Sequence, residues 1–189
     1  MIPRAFVWLA LSVVAAGRAE EAADPHAQIQ SDFEKRVGDY VKIHKTAQEG
    51  LDKLKPTKSA GTIGNQEDAL AHQIRELRRN ARQGDIFTTP IAVEFRRLIG
   101  ITLQAESTRI EKSLRRAEPV RLAALRVNRK YPEGVPLQST PPTLLLNLPK
   151  LPAEVDYRVV GRALVLRDVE ANLIIDFVPD ALPARTRAP

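Results

Sequence analysis

Apolar residues recur every three or four positions in the first hundred residues, which is the period of an amphipathic helix. The first such stretch begins at Asp24-Pro25, where an Asp cap precedes a proline at the first helical position. Pro56 ends it. Its stripe consists of Ile29, Phe33, Val37, Tyr40, Val41, His44, Ala47, Leu51 and Leu54. This pattern predicts one long helix, whose Phe33, Tyr40 and Leu51 we expect to contribute to a partner or self-association surface.

Two further helices are predicted after a Pro-, Gly- and Ser-containing connector. The second runs over residues 65–83 and ends at Gly84, the usual residue just past a helix C-terminus. The third begins at Thr89-Pro90 and continues to Pro119. Three amphipathic helices with short connections predict a small antiparallel bundle, in which each helix buries its stripe against the others.

The pattern changes at Pro119, because seven of the fourteen prolines fall within residues 119–152 and exclude long helices there. Three β-rich runs follow, separated by a two-residue Gly-Arg turn and a slightly longer loop. They cover residues 157–160, 163–167 and 173–178, and residues 125–128 are a candidate fourth strand. The predicted fold class is therefore α+β: about three antiparallel helices followed by a small antiparallel β-meander of three to four strands.

The N-terminus predicts export. Residues 1–19 combine a charged start, an apolar run of about twelve residues and small residues before Glu20-Glu21, the pattern of a secretory signal peptide. We expect cleavage after Ala19, with Gly17 or Ala23 as alternative sites, and a periplasmic or secreted protein. The mature chain then divides into a helical region (20–118), a Pro-rich wrap with the meander (119–179) and a disordered tail (180–189).

Composition narrows the function classes. The chain has no cysteine, which excludes disulfides, thiol nucleophiles and a lipid-anchored cysteine. Removal of the leader lowers the net charge from +6 to +4, an excess that is compatible with an anionic partner but does not demand one. Aromatic residues make up only 5% of the chain, so nucleic-acid binding is not expected. No later apolar stretch is long enough to span a membrane.

Three polar residues near the last hairpin form the main candidate site. Asp168 and Asn172 flank the predicted loop, and Asp176 interrupts an apolar strand. Oxygen ligands from a turn and its strand can converge on a hard cation or supply a general base. The structural alternative is favoured: Asp and Asn are turn residues, and Asp176 can pair with Arg162 or Arg167 on a solvent-facing side of the sheet.

A second candidate is a basic face on the predicted second helix. Arg75, Arg79 and Arg82 follow a spacing of four and three residues, so they share a face there, with Arg78 beside it. Such a face can bind phosphates. Because acidic residues are interleaved with the arginines, a solvated face with ion pairs is the favoured interpretation.

The remaining motifs carry little chemistry. His26, His44 and His72 lack the spacing of a zinc site, and His44 is expected to be packed on or beside the apolar stripe. No phosphate-binding Gly-rich loop, nucleophile elbow or His-Glu-x-x-His motif is present. No cofactor is predicted.

Several stretches together resemble a group of exported bacterial proteins of about this length, which has no assigned function. The most specific block is Tyr157-Arg158-x-x-Gly161-x-x-Leu164-x-Leu166-Arg167-Asp168-x-x-Ala171-Asn172-Leu173-Ile174-x-Asp176-Phe177. The resemblance covers nearly the whole mature chain and implies a bacterial, periplasmic protein. It carries over no catalytic residue. It also implies that both halves form one unit, in which residues 144–148 pack onto the meander.

These observations favour a non-enzymatic periplasmic or secreted binding module, whose partner is another envelope protein or a second copy of the chain. The alternative is a hydrolase or metal-dependent enzyme that uses Asp168, Asn172 and Asp176. A weaker alternative is anion binding by the Arg75–Arg82 face.

Overall fold

The computed structural model describes residues 24–51, 60–105, 124–131 and 145–183, with only the backbone described for 60–63. Within these ranges three helices precede a three-stranded antiparallel sheet, so the predicted α+β class is confirmed. The elements are α1 (Pro25–Glu49), α2 (Ala60–Leu77), α3 (Thr89–Ala105), β1 (Val155–Val160), β2 (Ala163–Asp168) and β3 (Ile174–Val178). None of the helices in these four ranges is both long and apolar enough to cross a membrane. The predicted signal peptide lies outside the described residues.

Helix α1 begins as the sequence predicts. The Asp24 side chain accepts a hydrogen bond from the backbone N–H of His26, and Pro25 occupies the first helical position. The helix ends at Glu49 with Gly50 as its C-cap, before the predicted end at Pro56.

Helix α2 begins and ends several residues earlier in the chain than predicted. It starts at Ala60 and ends at Leu77, so the prediction that it continues to Gln83 is wrong. Gly84 instead lies in the turn before α3, where its positive φ of 95° favours glycine. The predicted extension of α3 beyond Ala105 falls on residues outside the described ranges.

The sheet has the order β1-β2-β3, as a meander requires. Gly161 opens the β1–β2 hairpin with a positive φ of 62°, a conformation that suits glycine. Between β2 and β3 the register shifts at Leu166/Arg167, the mark of a β-bulge. The candidate fourth strand is reduced to a bridge between Lys130 and Leu173, just past the predicted run.

The helices and the sheet share one hydrophobic core. Phe33 of α1 is fully buried and packs against three other aromatic rings from the α2–α3 turn, α3 and β1. These rings belong to Phe87, Phe95 and Tyr157. Because Phe33 is buried in this core and Leu51 is partly buried against it, the expectation that these two residues form a partner surface is wrong. Tyr40 is also buried, but it lines a cleft beside α1.

The segments that flank the sheet are also packed. Leu148 is buried in the main core, while Leu146 is 75% exposed, so the segment before β1 packs through only part of its apolar run. Leu182 is buried, and its backbone N–H donates to the carbonyl of Arg162. The prediction of a disordered tail from residue 180 is therefore wrong for residues 180–183, and residues 184–189 lie outside the described ranges.

Candidate functional site

The bulge in β3 determines which way its acidic side chain points. Strict alternation would place Asp176 with Ile174, on the side of the sheet away from the helices. Because the register shifts at the bulge, Asp176 pairs directly with Leu166, whose side chain lies in the main core. Asp168 at the end of β2 is opposite Val155, also a main-core residue. Both acids therefore project from the helix-facing side of the sheet, and the expected solvent face for Asp176 is wrong.

Asp168 is 0% exposed and joins the sheet to α1. Its Oδ2 accepts a 2.6 Å hydrogen bond from the Tyr40 hydroxyl and lies 2.6 Å from Nδ1 of His44, one helical turn further along. Its Oδ1 accepts from the backbone N–H of Ala171 at 2.7 Å. Three donors on one carboxylate fix the orientation of α1 relative to the end of β2.

These contacts shift the three pKa values in different directions. Burial alone would raise the pKa of Asp168, but the hydrogen bonds from His44, Tyr40 and Ala171 outweigh it and hold the pKa below 3.8. Burial would lower the pKa of His44, but hydrogen bonding to Asp168 and nearby negative charges raise it above 6.5. Burial and the Asp168 charge raise the pKa of Tyr40, which therefore stays a neutral hydroxyl donor.

Asp176, also fully buried, organises the turn between α2 and α3. Its Oδ2 accepts from the backbone N–H groups of Ile86 and Phe87, each at 2.8 Å. Its Oδ1 accepts from the N–H groups of Gly84 at 2.9 Å and of its own neighbour Phe177 at 2.8 Å. Four backbone donors satisfy this carboxylate without a side-chain cation. The expected pairing with Arg162 or Arg167 is wrong: Arg162 pairs with Asp180, and Arg167 with Asp156.

Arg78 lies near both acids, just after the end of α2. Its guanidinium is 4.9 Å from the centre of the Tyr40 ring and donates to the carbonyl of Ile175 and to Oδ1 of Asn128. Burial lowers the pKa of Arg78, whereas the charges of Asp176 and Asp168 act in the opposite direction. Arg78 therefore partly compensates the two buried carboxylates.

An open cleft of about 700 Å³ lies above Tyr40 and Arg78, between α1 and the turn after α2. Charges of both signs and a few apolar side chains line it. The charged residues are Arg36, Asp39, Glu76, Arg78, Arg79 and Asp85, and the apolar ones include Ile43 and Leu77. Leu77 is 50% exposed. The cleft can accept a partner that offers both polar and apolar groups.

The structure does not bring the three predicted site residues to one point. Asp168 contacts α1 and Asp176 contacts the α2–α3 turn, with no donor in common. Asn172 adopts a positive φ of 49° in the loop and accepts from Arg167. Within the described ranges no three His, Asp or Glu side chains are grouped to hold a metal ion.

The three arginines of the candidate basic face are also separated. Arg75 lies on α2 and donates to the carbonyl of Asn128. Arg79 and Arg82 follow the end of the helix at Leu77 and are exposed. The prediction of a shared helical face is therefore wrong, because the chain leaves the helix at Arg78.

The sequence indicates Asp168 as a candidate but does not indicate the side chains that bind its carboxylate. His44 was expected to be packed, and it is, with its side chain 1% exposed. The spacing of Tyr40 and His44 on one helical stripe is the available signal, because polar side chains on a buried face each require a hydrogen-bond partner. Nothing in the sequence indicated which acid would accept from them.

No protein-family model matches this chain, and no curated protein or solved structure is significantly similar to it.

Proposed function

We propose that the mature chain is an exported, non-enzymatic binding or interaction module, acting in the periplasm or outside the cell. The proposed contact surface is the cleft between α1 and the turn after α2. The proposed partner is another envelope protein, with self-association as the alternative.

The contrast between the buried acids and the cleft carries this proposal. Every oxygen of Asp168 and Asp176 accepts hydrogen bonds from within the fold, so both carboxylates fasten helices and turns to the sheet. The cleft instead offers exposed Arg79 and the half-exposed Leu77 beside it. Mixed charge next to exposed apolar surface is typical of protein contact sites.

Export is the second part of the proposal. Its support is the sequence of residues 1–19, with a charged start, a short apolar run and small residues before the expected cleavage point. N-terminal sequencing of the protein recovered from cells tests it. A mature chain that begins at Glu20 supports export, and one that still begins at Met1 contradicts it.

Site-specific photo-cross-linking in cells tests the contact surface. A photoreactive residue replaces Asn80 on the cleft, and a matched variant carries it at Val93, which is exposed on α3 away from the cleft. We expect a discrete envelope-protein adduct from position 80 that Leu77→Ser weakens, and no such adduct from position 93. No adduct from position 80, or the same adduct from both positions, would contradict the proposed surface. An adduct of two copies of the chain would select self-association.

One observation favours a second candidate function, a hydrolase that uses Asp168. A carboxylate bonded to Nδ1 of a histidine orients Nε2 as a general base, and Asp168 holds His44 in this way. However, Nε2 is buried and lies 3.4 Å from Glu170 rather than next to a nucleophile. Hydrolysis of a panel of small p-nitrophenyl esters tests it. Turnover that His44→Gln abolishes and Tyr40→Phe retains would support the hydrolase, and absence of turnover would reject it.

A further inference from the structure

The two ring nitrogens of His44 lie in different acidic surroundings. Nδ1 lies 2.6 Å from Asp168 Oδ2, which is fully buried. Nε2 is buried, has no hydrogen-bond partner among the described residues and lies 3.4 Å from Oε2 of Glu170. The Glu170 side chain is 57% exposed, and the same Oε2 also accepts from the amide of Gln48 on α1.

The positions of the two carboxylates favour one protonation state of the His44 ring. With Asp168 ionised, Nδ1 carries a proton and donates to it. In the neutral ring Nε2 then bears a lone pair, which faces the Glu170 carboxylate, so two acceptors oppose each other. When Nε2 takes up the second proton of the ring, it becomes a donor, and the repulsion from the Glu170 carboxylate becomes attraction. The arrangement therefore fits the doubly protonated, positively charged ring.

We propose that His44 is a pH-responsive latch between the C-terminal turn of α1 and the loop between β2 and β3. When the ring carries both protons, it attracts Glu170, which also accepts from Gln48, so the loop is fastened to the last turn of α1. When Nε2 loses its proton, Glu170 turns toward solvent and residues 46–49 of α1 loosen. The bond from Nδ1 to Asp168 persists in both states.

The charged groups around the ring favour the protonated state. Asp168, Glu170 and Glu154 supply negative charge from β2, the following loop and the segment before β1, and together they raise the pKa of His44 against the effect of burial. On α1, Tyr40 is neutral, and Lys45 is drawn toward Glu154 at 3.7 Å. Arg78, after α2, lies over the Tyr40 ring.

The latch is also connected to the cleft. The Tyr40 hydroxyl and Nδ1 of His44 contact the same oxygen of Asp168, and Tyr40 lines the cleft. A change in the charge of His44 therefore acts two hydrogen bonds away from Tyr40, which lines the cleft. This connection rests on the proposed function of the cleft, whereas the latch itself does not.

NMR titration of the histidine ring resonances in the mature chain tests the latch. We expect His44 to titrate with a midpoint above the ordinary 6.5. Glu170→Gln removes the carboxylate that faces Nε2 and is expected to lower this midpoint.

Hydrogen-exchange protection factors provide the structural readout. We expect protection of the amides of residues 46–51 to fall as pH rises through the His44 midpoint, and to be low at all pH values in Glu170→Gln. His44→Gln should make this protection independent of pH. The proposal would be overturned if Glu170→Gln left the His44 midpoint unchanged, or if the protection of residues 46–51 did not change across it. Neither result depends on whether the cleft binds a partner, so the two proposals fail separately.

Discussion

Asp168 and His44 lie 124 positions apart in the chain, and their side chains meet in the core at 2.6 Å. The contact joins the C-terminal part of the first helix to the end of the second strand. A hydrogen bond between ionised groups in a buried site is strong when both groups have their other partners, and costly to break when one is removed. Asp168 has those partners in Tyr40 and Ala171.

Asp168→Asn is expected to destabilise the fold strongly. The amide keeps the shape of the carboxylate but removes its negative charge, to which Tyr40 and His44 both bond. It also adds an N–H donor where the carboxylate has an acceptor. Loss of these bonds in a fully buried site should lower the free energy of unfolding by about 3 kcal/mol. Urea denaturation measures the change. Asp180→Asn is the control, because its ion pair with Arg162 is exposed and should contribute little. Similar losses in the two variants would contradict the role assigned to Asp168.

Asp176→Asn should loosen the turn between α2 and α3 before it affects the rest of the fold. The carboxylate accepts from the backbone N–H groups of Gly84, Ile86 and Phe87, and an amide side chain presents only one oxygen to them. Hydrogen exchange of these three amides should therefore accelerate more than exchange in β2. Asp39→Asn, an exposed change on α1 beside Lys42, should leave them unaffected. Unchanged protection in Asp176→Asn would show that the turn holds without the carboxylate.

Two glycines are expected to respond to alanine in opposite directions. Gly84 has a φ of 95°, so Gly84→Ala should cost about 1 kcal/mol from backbone strain. Gly38 lies inside α1, and no atom of the described residues lies within 4 Å of an added Cβ, so Gly38→Ala should stabilise the helix by up to about 1 kcal/mol. Thermal unfolding of both variants measures the difference. A Gly84→Ala protein at least as stable as the parent would contradict the conformation of this turn.

Stability should depend on pH with a known sign. The pKa of His44 is raised in the folded state, so its contribution is full below its unfolded value near 6.5 and is lost as pH rises through the folded value. The pKa of Asp168 is lowered, so its contribution is present above about 3.8 and is lost as pH falls through the folded value. Urea midpoints should therefore be highest between these two limits. His44→Gln should flatten the alkaline decline, and an equal decline in both proteins would assign it to other groups.

Local signals predicted much of the fold. The Asp24 cap, the stripe of α1 and the Gly161 turn each act within a few residues, so periodicity and turn chemistry were sufficient for them. The end of α2 was mispredicted because it depends on tertiary contacts. The helix ends at Leu77, earlier than Gly84 suggested. Arg78, the next residue, donates hydrogen bonds to Asn128 and Ile175, which are distant in sequence.

The candidate site was less predictable because its residues are distant in sequence. The sequence indicated Asp168 and Asp176 as unusual, but a single bulge in β3 reverses the side on which Asp176 lies. Alternation alone cannot locate such a bulge. The side-chain partners of Asp168 come from the first helix, and no local pattern connects them to the end of β2.

A double-mutant cycle tests most directly whether Asp168 fastens α1 to the sheet. Tyr40→Phe removes the hydroxyl that donates to Asp168 while keeping the ring beneath Arg78, and Asp168→Asn removes the acceptor's charge. Urea unfolding of the parent, both single variants and the double variant gives the coupling free energy. We predict a coupling of about 1–3 kcal/mol, so that the double variant loses less than the sum of the single variants. Additive losses, with a coupling near zero, would show that the Tyr40–Asp168 contact does not hold the two layers together.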